Sequence, residues 1–458
     1  MMGFEIVVLW SDVLVWLLVA AGVGLALTVR RSPPMLSAWR RVGANRVGMA
    51  SATVLLVFIA VGLLDSMHYR VKLDGKPGQK AQYAVEVLSA LDAIAAPLRT
   101  RNEKTYSEPF ATRLYAKETM EIDGQTVREF PRLKFGGQHL GEREGERWAD
   151  VGFTAFRGAV LGFLAWLAVA GVVTAAVHGQ KRAKTESADF AWDAVLGTLL
   201  ALLLIGVPLL MLSGQYHVFG TDKVGQDVLY QVLKSVRTGL IIGLVTTLVM
   251  LPMAVLLGIV AGYFRGWVDD LIQYVYTVLN SIPGVLLIAA SVLMMQVIID
   301  THPQWFSTAA ERADLRLLAL CFILGMTSWT GLCRLLRGET LKLRELEYIQ
   351  AAQAFGVSSG RIIVRHILPN LMHIVIISVV MDFSGLVLAE AVLSYVGIGV
   401  DPTMTSFGTM INNARMELGR EPVVWWSLAA AFSAMFVLVL AANLFADAVR
   451  DAFDPRSA

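Results

Sequence analysis

Uncharged apolar stretches of about 20 residues recur along this chain, and each is long enough to cross the roughly 30 Å hydrocarbon core of a bilayer. Only 17% of the 458 residues are charged, whereas ordinary soluble domains carry roughly 25%. The sequence therefore predicts an all-α polytopic membrane protein with about nine transmembrane helices. We expect these spans at residues 6–29, 47–64, 154–177, 192–213, 239–262, 272–298, 315–335, 370–393 and 425–447.

Several functional classes lack support in the sequence. The net charge of +2 is too small to indicate nucleic-acid binding. The two cysteines, Cys321 and Cys333, provide neither a disulfide framework nor a CxxC metal pattern. No GxxxxGKS/T nucleotide loop and no HExxH zinc motif is present. We therefore expect no catalytic residue, no metal site and no cofactor in this chain.

Basic residues in the short loops predict the orientation. The start of the chain has no basic region typical of a removable signal, so the first span is expected to stay, with its N-terminus outside. Alternation then places the basic loops and the C-terminus in the cytoplasm, as the positive-inside rule requires. These loops contain Arg30, Arg31, Arg40, Arg41, Arg46, Lys181, Arg182, Lys184, Arg337, Lys342, Arg344, Arg361, Arg365, Arg450 and Arg456.

Residues 65–153 form a long insertion that the same alternation places outside. Apolar residues at helical spacing over 87–98 predict an amphipathic helix ending near Pro97 or Arg99. Asp123 and Gly124 indicate a turn, with short extended segments on each side. We expect a small folded extracytoplasmic cap.

A short helix is predicted in the cytoplasmic loop before the eighth span. Tyr348, Ala351, Ala352 and Phe355 recur at i, i+3, i+4 and i+7, and Gly356 is suited to end the helix. Two alanines between aromatic residues would let the helix sit in a groove of a soluble partner. An ordinary surface helix is the alternative that this spacing leaves open.

This loop resembles the EAA loop of ABC-importer permeases. Ala351, Ala352, Gly356, Leu368 and Pro369 match the family pattern at the family spacing. Gln350 stands where glutamate is usual, and His366 stands where isoleucine is usual. The resemblance implies that an ATPase subunit docks here, on Glu347, Tyr348, Gln350, Ala351, Ala352, Phe355, Gly356, Leu368 and Pro369.

Four further blocks resemble the C-type membrane subunit of dipeptide and oligopeptide importers. They are residues 217–229, 261–269, 389–399 and 451–456. The resemblance implies a core of about six helices in the bacterial inner membrane. It also implies a sister permease, two ATP-binding subunits that hold ATP and Mg, and an extracytoplasmic substrate-binding protein.

The front of the chain departs from the family, which has one span before the block at 217–229. Here four spans and the insertion precede it, although residues 40–48 and the following span resemble the usual first helix. We divide the chain into two N-terminal helices (1–64), the insertion (65–153), two additional helices (154–216) and the permease core (217–458), with its EAA-type loop at 337–369.

Polar residues and prolines inside the core spans are candidates for the translocation path or a gate. An intramembrane carboxylate usually faces protein or water, so Asp382 either lines the path or forms a hydrogen bond to Ser378, to Ser384 or to another span. Glu390 is a gate or interface candidate, with snorkelling as the alternative. Pro283 and Gly284 are a hinge or a static kink, and Pro252 interrupts another span.

The resemblance favours a permease that imports peptides and contacts membrane lipid but no nucleic acid. Relatives of such permeases also carry nickel, opines or other small solutes, so the cargo stays open. An ion-coupled secondary transporter that uses Asp382 and needs no ATPase is the alternative from another class.

Overall fold

The computed structural model describes residues 4–31, 33–73, 82–122, 125–141, 143–181, 190–306 and 308–453. The predicted turn at residues 123–124 and the basic residues Arg182, Lys184 and Arg456 lie outside the described residues. Helices dominate. They are α1 Trp10–Val29, α2 Pro33–Ala44, α3 Arg46–Asp65, α4 Ala90–Ile94, α5 Ala96–Thr100, α6 Arg147–Lys181, α7 Trp192–Ser213, α8 Val228–Phe264, α9 Gly266–Ser281, α10 Gly284–Thr301, α11 Ala309–Ser328, α12 Thr330–Arg344, α13 Glu347–Ala354, α14 Ser359–Ile362, α15 Leu368–Tyr395, α16 Phe407–Glu417 and α17 Trp426–Phe453.

Short strands and non-α turns complete the described structure. The strands are β1 Phe4–Val7, β2 His68–Val71, β3 Leu88–Ser89, β4 Glu118–Ile122 and β5 Gln125–Glu129. Short 3-10 turns lie at Gln138–Leu140, Glu144–Glu146 and Pro303–Trp305, and a π-helical turn lies at Ile363–Ile367.

Nine candidate membrane spans occur in the described ranges, which confirms an all-α polytopic membrane protein. The spans are Trp10–Val29, Arg46–Asp65, Glu144–Ala176, Trp192–Ser213, Val228–Phe264, Gly284–Thr301, Ala309–Arg344, Ser359–Tyr395 and Trp426–Phe453.

Two predicted spans need correction. Residues 272–298 do not form one helix, because Ile282 is extended (φ −90°, ψ 131°) and Pro283 precedes a new helix, α10. A residue before proline disfavours the helical region, which explains the break. Pro252, in contrast, lies inside the continuous helix α8. The first span begins at Trp10 and not at residue 6, because Phe4–Val7 pair with β2 as strand β1.

The chain divides into two compact units. The first comprises Met1–Val8, Trp39–Thr238 and Thr405–Leu444. It contains an antiparallel sheet in the order β1-β2-β3 and the antiparallel hairpin β4-β5. In it α6 lies against α7, where Gly158 and Gly162 face the backbone of Pro208 and Leu203.

The insertion belongs to this first unit. The helix predicted over 87–98 is instead strand β3 followed by two short helices, α4 and α5. The side chain of Ser89 accepts a hydrogen bond from the Asp92 backbone and begins α4, whereas Pro97 lies in the first turn of α5. The short extended segments predicted around residues 123–124 are confirmed as β4 and β5.

The second unit comprises Leu9–Ala38, Gly239–Met404 and Phe445–Ala458. Its hydrophobic core joins residues of α8, α9, α12, α13 and α15, including Met250, Leu336 and Ile349. Two glycines of α8, Gly258 and Gly262, bring its backbone close to α12. This small-xxx-small spacing permits close helix contact within a membrane.

Candidate functional site

Helix α13 is attached to the core of the second unit by one face. Ile349 is fully buried, and Ala352 is partly buried against the same hydrophobic cluster. Nε2 of Gln353 lies 3.3 Å from the Tyr263 hydroxyl, which accepts its hydrogen bond. The helix is therefore held as part of the unit and is not a detached surface segment.

The opposite face of α13 is open. Phe355 is 86% exposed and Tyr348 is 46% exposed, and Ala351 between them is also exposed. The predicted face of four residues is therefore correct for three of them. Ala352 instead faces the core beside Ile349, the most apolar residue of the helix. The predicted stripe did not include Ile349, so the predicted orientation of Ala352 was wrong.

Gly356 ends the helix in the left-handed conformation, with φ +72°. Its N–H donates to the Gln353 carbonyl at 3.0 Å, and the Val357 N–H donates to the Ala352 carbonyl at 3.0 Å. These two bonds form a Schellman cap, which glycine favours because it has no Cβ. The cap turns the chain immediately after Phe355.

Gln350 is exposed and faces a carboxylate. Its Nε2 donates to the Glu345 carbonyl at 3.3 Å and lies 3.5 Å from Oε2 of Glu345. Glu345 itself pairs with Arg265. A glutamate at position 350 would bring a second negative charge beside Glu345, so the neutral amide fits this neighbourhood.

The segment after α13 contributes a further contact. The hydroxyl of Tyr348 accepts a hydrogen bond from Nδ2 of Asn370 at 3.1 Å. Leu368 packs on the core cluster, and Pro369 is exposed at the second residue of α15. Proline has no backbone N–H, but an N–H in the first helical turn would have no partner within the helix, so proline is tolerated here.

An ion pair that sequence reasoning missed joins α9 to α12. Nε and Nη2 of Arg337 donate to the two carboxylate oxygens of Asp269, at 2.6 and 2.7 Å. These hydrogen bonds hold the pKa of Asp269 below its usual value, although partial burial acts the other way. Asp269 belongs to the block at 261–269, but nothing in the sequence indicated its partner.

The path and gate candidates occupy different environments. Asp382 is partly buried on α15 and makes no hydrogen bond or ion pair with any residue that the structure describes, so the predicted bonds to Ser378 or Ser384 are absent. Glu390 is 1% exposed and accepts a hydrogen bond from Ser394 at 2.6 Å, which excludes snorkelling. Pro283 and Gly284 are exposed where α10 begins.

A buried charge cluster in the first unit was also missed. Nδ1 of His217 lies 2.7 Å from Oδ2 of Asp227, and Nε2 lies 3.3 Å from Oε1 of Glu103, which belongs to the insertion. Burial alone would lower the pKa of His217, but the two carboxylates raise it to about 9. Glu103 also accepts hydrogen bonds from the backbone of residues 134–136.

Comparison with known proteins identifies the family. The family model described as "Binding-protein-dependent transport system inner membrane component" matches residues 254–458. The oligopeptide transport system permease protein OppC of Mycobacterium tuberculosis is 33% identical over 249 residues, which are 54% of this chain and 79% of that protein. The chain belongs to this family of inner membrane components. It is a permease component of an ABC importer and a multi-pass membrane protein.

Two other relatives of this permease have related names. The glutathione transport system permease protein GsiD of Pectobacterium atrosepticum is 33% identical over 242 residues, which are 52% of this chain and 73% of that protein. The dipeptide transport system permease protein DppC of Lactococcus lactis subsp. cremoris is 30% identical over 241 residues, which are 53% of this chain and 64% of that protein.

Among solved structures, a chain of the inward-facing MetNI methionine ABC transporter aligns with this permease. The alignment covers 48% of this chain and 96% of that chain, with 17% identity and a TM-score of 0.34. This similarity is too low to compare residue positions.

Proposed function

We propose that this permease forms part of the transmembrane path of an ATP-driven peptide importer and that α13 docks on an ATPase subunit. The peptide assignment is supported by relatives named for oligopeptide, dipeptide and glutathione transport. The complete importer would add a sister permease, two ATP-binding subunits that hold ATP and Mg, and an extracytoplasmic binding protein.

One observation carries the docking proposal: α13 combines a buried face with an exposed aromatic residue at its end. Phe355 is 86% exposed, whereas Ile349 on the other face is fully buried. Exposed aromatic residues that fill a partner's pocket contribute much of the energy of protein interfaces. Ala351 is small enough to let the helix approach such a pocket closely.

The contacts of α13 also suggest how motion would reach the membrane. The helix is linked to α8 through Gln353 and Tyr263, and Glu345 just before it is paired with Arg265 just after α8. Movement of α13 with an ATPase subunit would therefore pull on α8 and α12. Rigid-body rocking of packed helices is a common form of such transitions.

The path residues are part of this proposal. Asp382 is a partly buried carboxylate without a partner among the described residues, which suits a side chain that meets water or cargo. The break at Pro283 and Gly284 is a natural hinge between α9 and α10. Glu390 is buried within this chain alone, which suits an outer gate better than the predicted subunit interface.

We also propose the orientation predicted from the basic loops, with the N-terminus outside and the C-terminus in the cytoplasm of a bacterium. This orientation places α13 on the side where ATPase subunits reside and the insertion on the side of the binding protein.

Copurification with the ATPase subunit tests the docking site. Phe355→Glu and Ala351→Arg change exposed residues, so they are expected to weaken ATPase association and uptake while leaving the melting temperature unchanged. Arg450→Glu, at an exposed position near the end of α17, is the control and should associate normally. Wild-type association of both α13 variants would exclude α13 as the docking helix.

The cargo and the energy source need separate tests. Nickel, opines or other small solutes remain alternatives to peptides, and identifying the ligand of the cognate binding protein decides among them. Transport by the purified chain alone in liposomes, driven by an ion gradient, would instead favour secondary transport through Asp382.

A further inference from the structure

A cavity of about 980 Å³ opens in the first unit. It lies between the β4-β5 hairpin, the start of α6 and the loop after α16. This volume is at the upper end of the range of small-molecule sites. Three aromatic side chains line it: Tyr115, Phe130 and Trp148. Trp148 is 62% exposed and Phe130 is 41% exposed, so these rings are available to a ligand.

The cavity also contains charges that the protein leaves unpaired. Glu144 in its wall is paired with Arg113 at 2.9 Å and with Arg132 at 3.6 Å. Five other charged lining residues make no ion pair with any residue in the described ranges. They are Glu108, Lys117, Arg128, Arg147 and Glu421. The guanidinium of Arg147 lies over the Trp148 ring, 4.8 Å from its centroid.

The two segments that carry the unpaired carboxylates both contact Tyr115, whose backbone N–H donates to the Tyr106 carbonyl at 3.0 Å. Burial and the charge of Glu108 raise the pKa of Tyr115, which places Glu108 within electrostatic reach of this ring. The Tyr115 hydroxyl donates to the Val423 carbonyl at 3.0 Å, two residues after Glu421. The Tyr115 end of the cavity is therefore acidic.

Two of the three unpaired cations lie at the hairpin, and the third, Arg147, lies at the start of α6. Nζ of Lys117 is 5.4 Å from the centroid of the Phe130 ring, and Arg128 lies on β5 just before Phe130. The hairpin end of the cavity is therefore basic. Such a polarised cavity suits a ligand that carries an ammonium group at one end and a carboxylate at the other. An anionic lipid headgroup would not need the acidic end.

We propose that this cavity binds a short peptide with free termini, with its ammonium group at Glu108 and Glu421 and its carboxylate at Lys117 and Arg128. The aromatic rings would contact the side chains of the peptide and would discriminate little among peptide sequences. The choice of a peptide among zwitterionic ligands rests on the proposed function. The site would be additional to any peptide site in a binding protein.

Calorimetry on the full chain in nanodiscs, without binding protein or ATPase, tests the proposal. The probes are tri-alanine, its N-acetyl form, its C-amide form and the doubly blocked peptide. Free tri-alanine is expected to bind. Each single block should weaken binding at least about tenfold, because each removes one charge-assisted contact. No detectable binding at millimolar peptide, or equal binding of free and doubly blocked peptide, would overturn the proposal.

Paired variants assign the two ends. The double variant Glu108→Gln and Glu421→Gln should abolish the preference for a free amine but retain the preference for a free carboxylate. The double variant Lys117→Gln and Arg128→Gln should abolish the preference for a free carboxylate but retain the preference for a free amine. The control is Arg143→Gln with Glu146→Gln, because this ion pair is 73% and 64% exposed and lies outside the cavity lining. Loss of both preferences in either double variant would contradict the assigned polarity.

The same peptides distinguish this proposal from the proposed function. ATP-driven peptide import by the complete transporter, without peptide binding to the chain alone, would overturn the cavity site and leave the importer intact. Peptide binding to the chain alone, without any ATP-driven peptide import, would support the cavity and count against the importer.

Discussion

Arg337 of α12 donates two hydrogen bonds to the carboxylate of Asp269 on α9, at 2.6 and 2.7 Å. The Arg337 side chain is 25% exposed and that of Asp269 is 11% exposed, so water screens the pair only in part. Bidentate geometry of this kind fixes the orientation of both partners. The pair therefore joins α9 to α12, which lies immediately before the proposed docking helix.

Asp269→Asn is expected to destabilise the second unit by on the order of 2 kcal/mol, because a partly buried guanidinium would lose its charged partner. Thermal unfolding of the purified chain measures this effect, and peptide uptake should fall with it. Asp270→Asn, the exposed neighbour, is the matched control and should behave like wild type. Equal stability of the two variants would show that the ion pair contributes nothing.

Gly356→Ala is expected to loosen the end of α13. An added Cβ would meet no atom within 4 Å, so the cost of roughly 1 kcal/mol comes from the left-handed backbone alone. Faster hydrogen exchange at residues 353–357 and weaker ATPase association should follow. Gly360→Ala is the control, because Gly360 has equal space but lies in a short helix.

Gly356→Asn refines this test, because asparagine tolerates the left-handed region better than alanine does. It should therefore retain more protection than Gly356→Ala. Identical protection in Gly356→Ala and Gly360→Ala would contradict a conformational role for Gly356.

The spans could be predicted because apolar length is a local property of the sequence. The orientation of α13 could not be predicted fully, because helical spacing gives the angles between residues but not which side meets the core. Ile349 is the residue that meets the core, and Ala352 lies on the same side of the helix and is partly buried. The break before α10 shows the same limit, since proline kinks some helices and separates others.

Long-range partners were the other gap. Glu103 and His217 are 114 positions apart, and no local pattern pairs them. The close approach of α8 to α12 was detectable, because Gly258 and Gly262 have the spacing of a helix-packing motif. The spacing does not indicate which helix packs against these two glycines.

Alkaline pH is expected to destabilise the attachment of the insertion around His217. The folded pKa of about 9 exceeds the ordinary value of 6.5. The charged His217 therefore contributes stability that is fully present below pH 6.5 and is lost as pH rises through about 9. The contribution is at most about 3 kcal/mol.

Hydrogen exchange at residues 217–227 between pH 6.5 and 9.5, corrected for intrinsic rates, measures this loss. Glu103→Gln removes one of the two carboxylates that raise the pKa of His217, so its stability loss should be smaller and should be complete at a lower pH than in the wild type. A wild-type profile as flat as that of His217→Asn would refute the linkage.

Gly262→Ala is expected to separate α8 from α12. An added Cβ would lie 2.6 Å from Cβ of Thr340 and 2.7 Å from the Arg337 carbonyl oxygen. Backbone atoms cannot move aside as a flexible side chain does, so the expected cost is about 1–3 kcal/mol. Displacement of Arg337 should also weaken its hydrogen bonds to Asp269, so Tm and uptake should fall together.

Gly338→Ala on α12 is the control for Gly262→Ala, because its added Cβ would meet no atom within 4 Å. Alanine has a higher helix propensity than glycine, so this control should be neutral or slightly more stable. Partial recovery of Tm in Gly262→Ala with Thr340→Gly would assign the clash to this contact, whereas equal Tm values for Gly262→Ala and Gly338→Ala would show that α8 and α12 are not closely packed here.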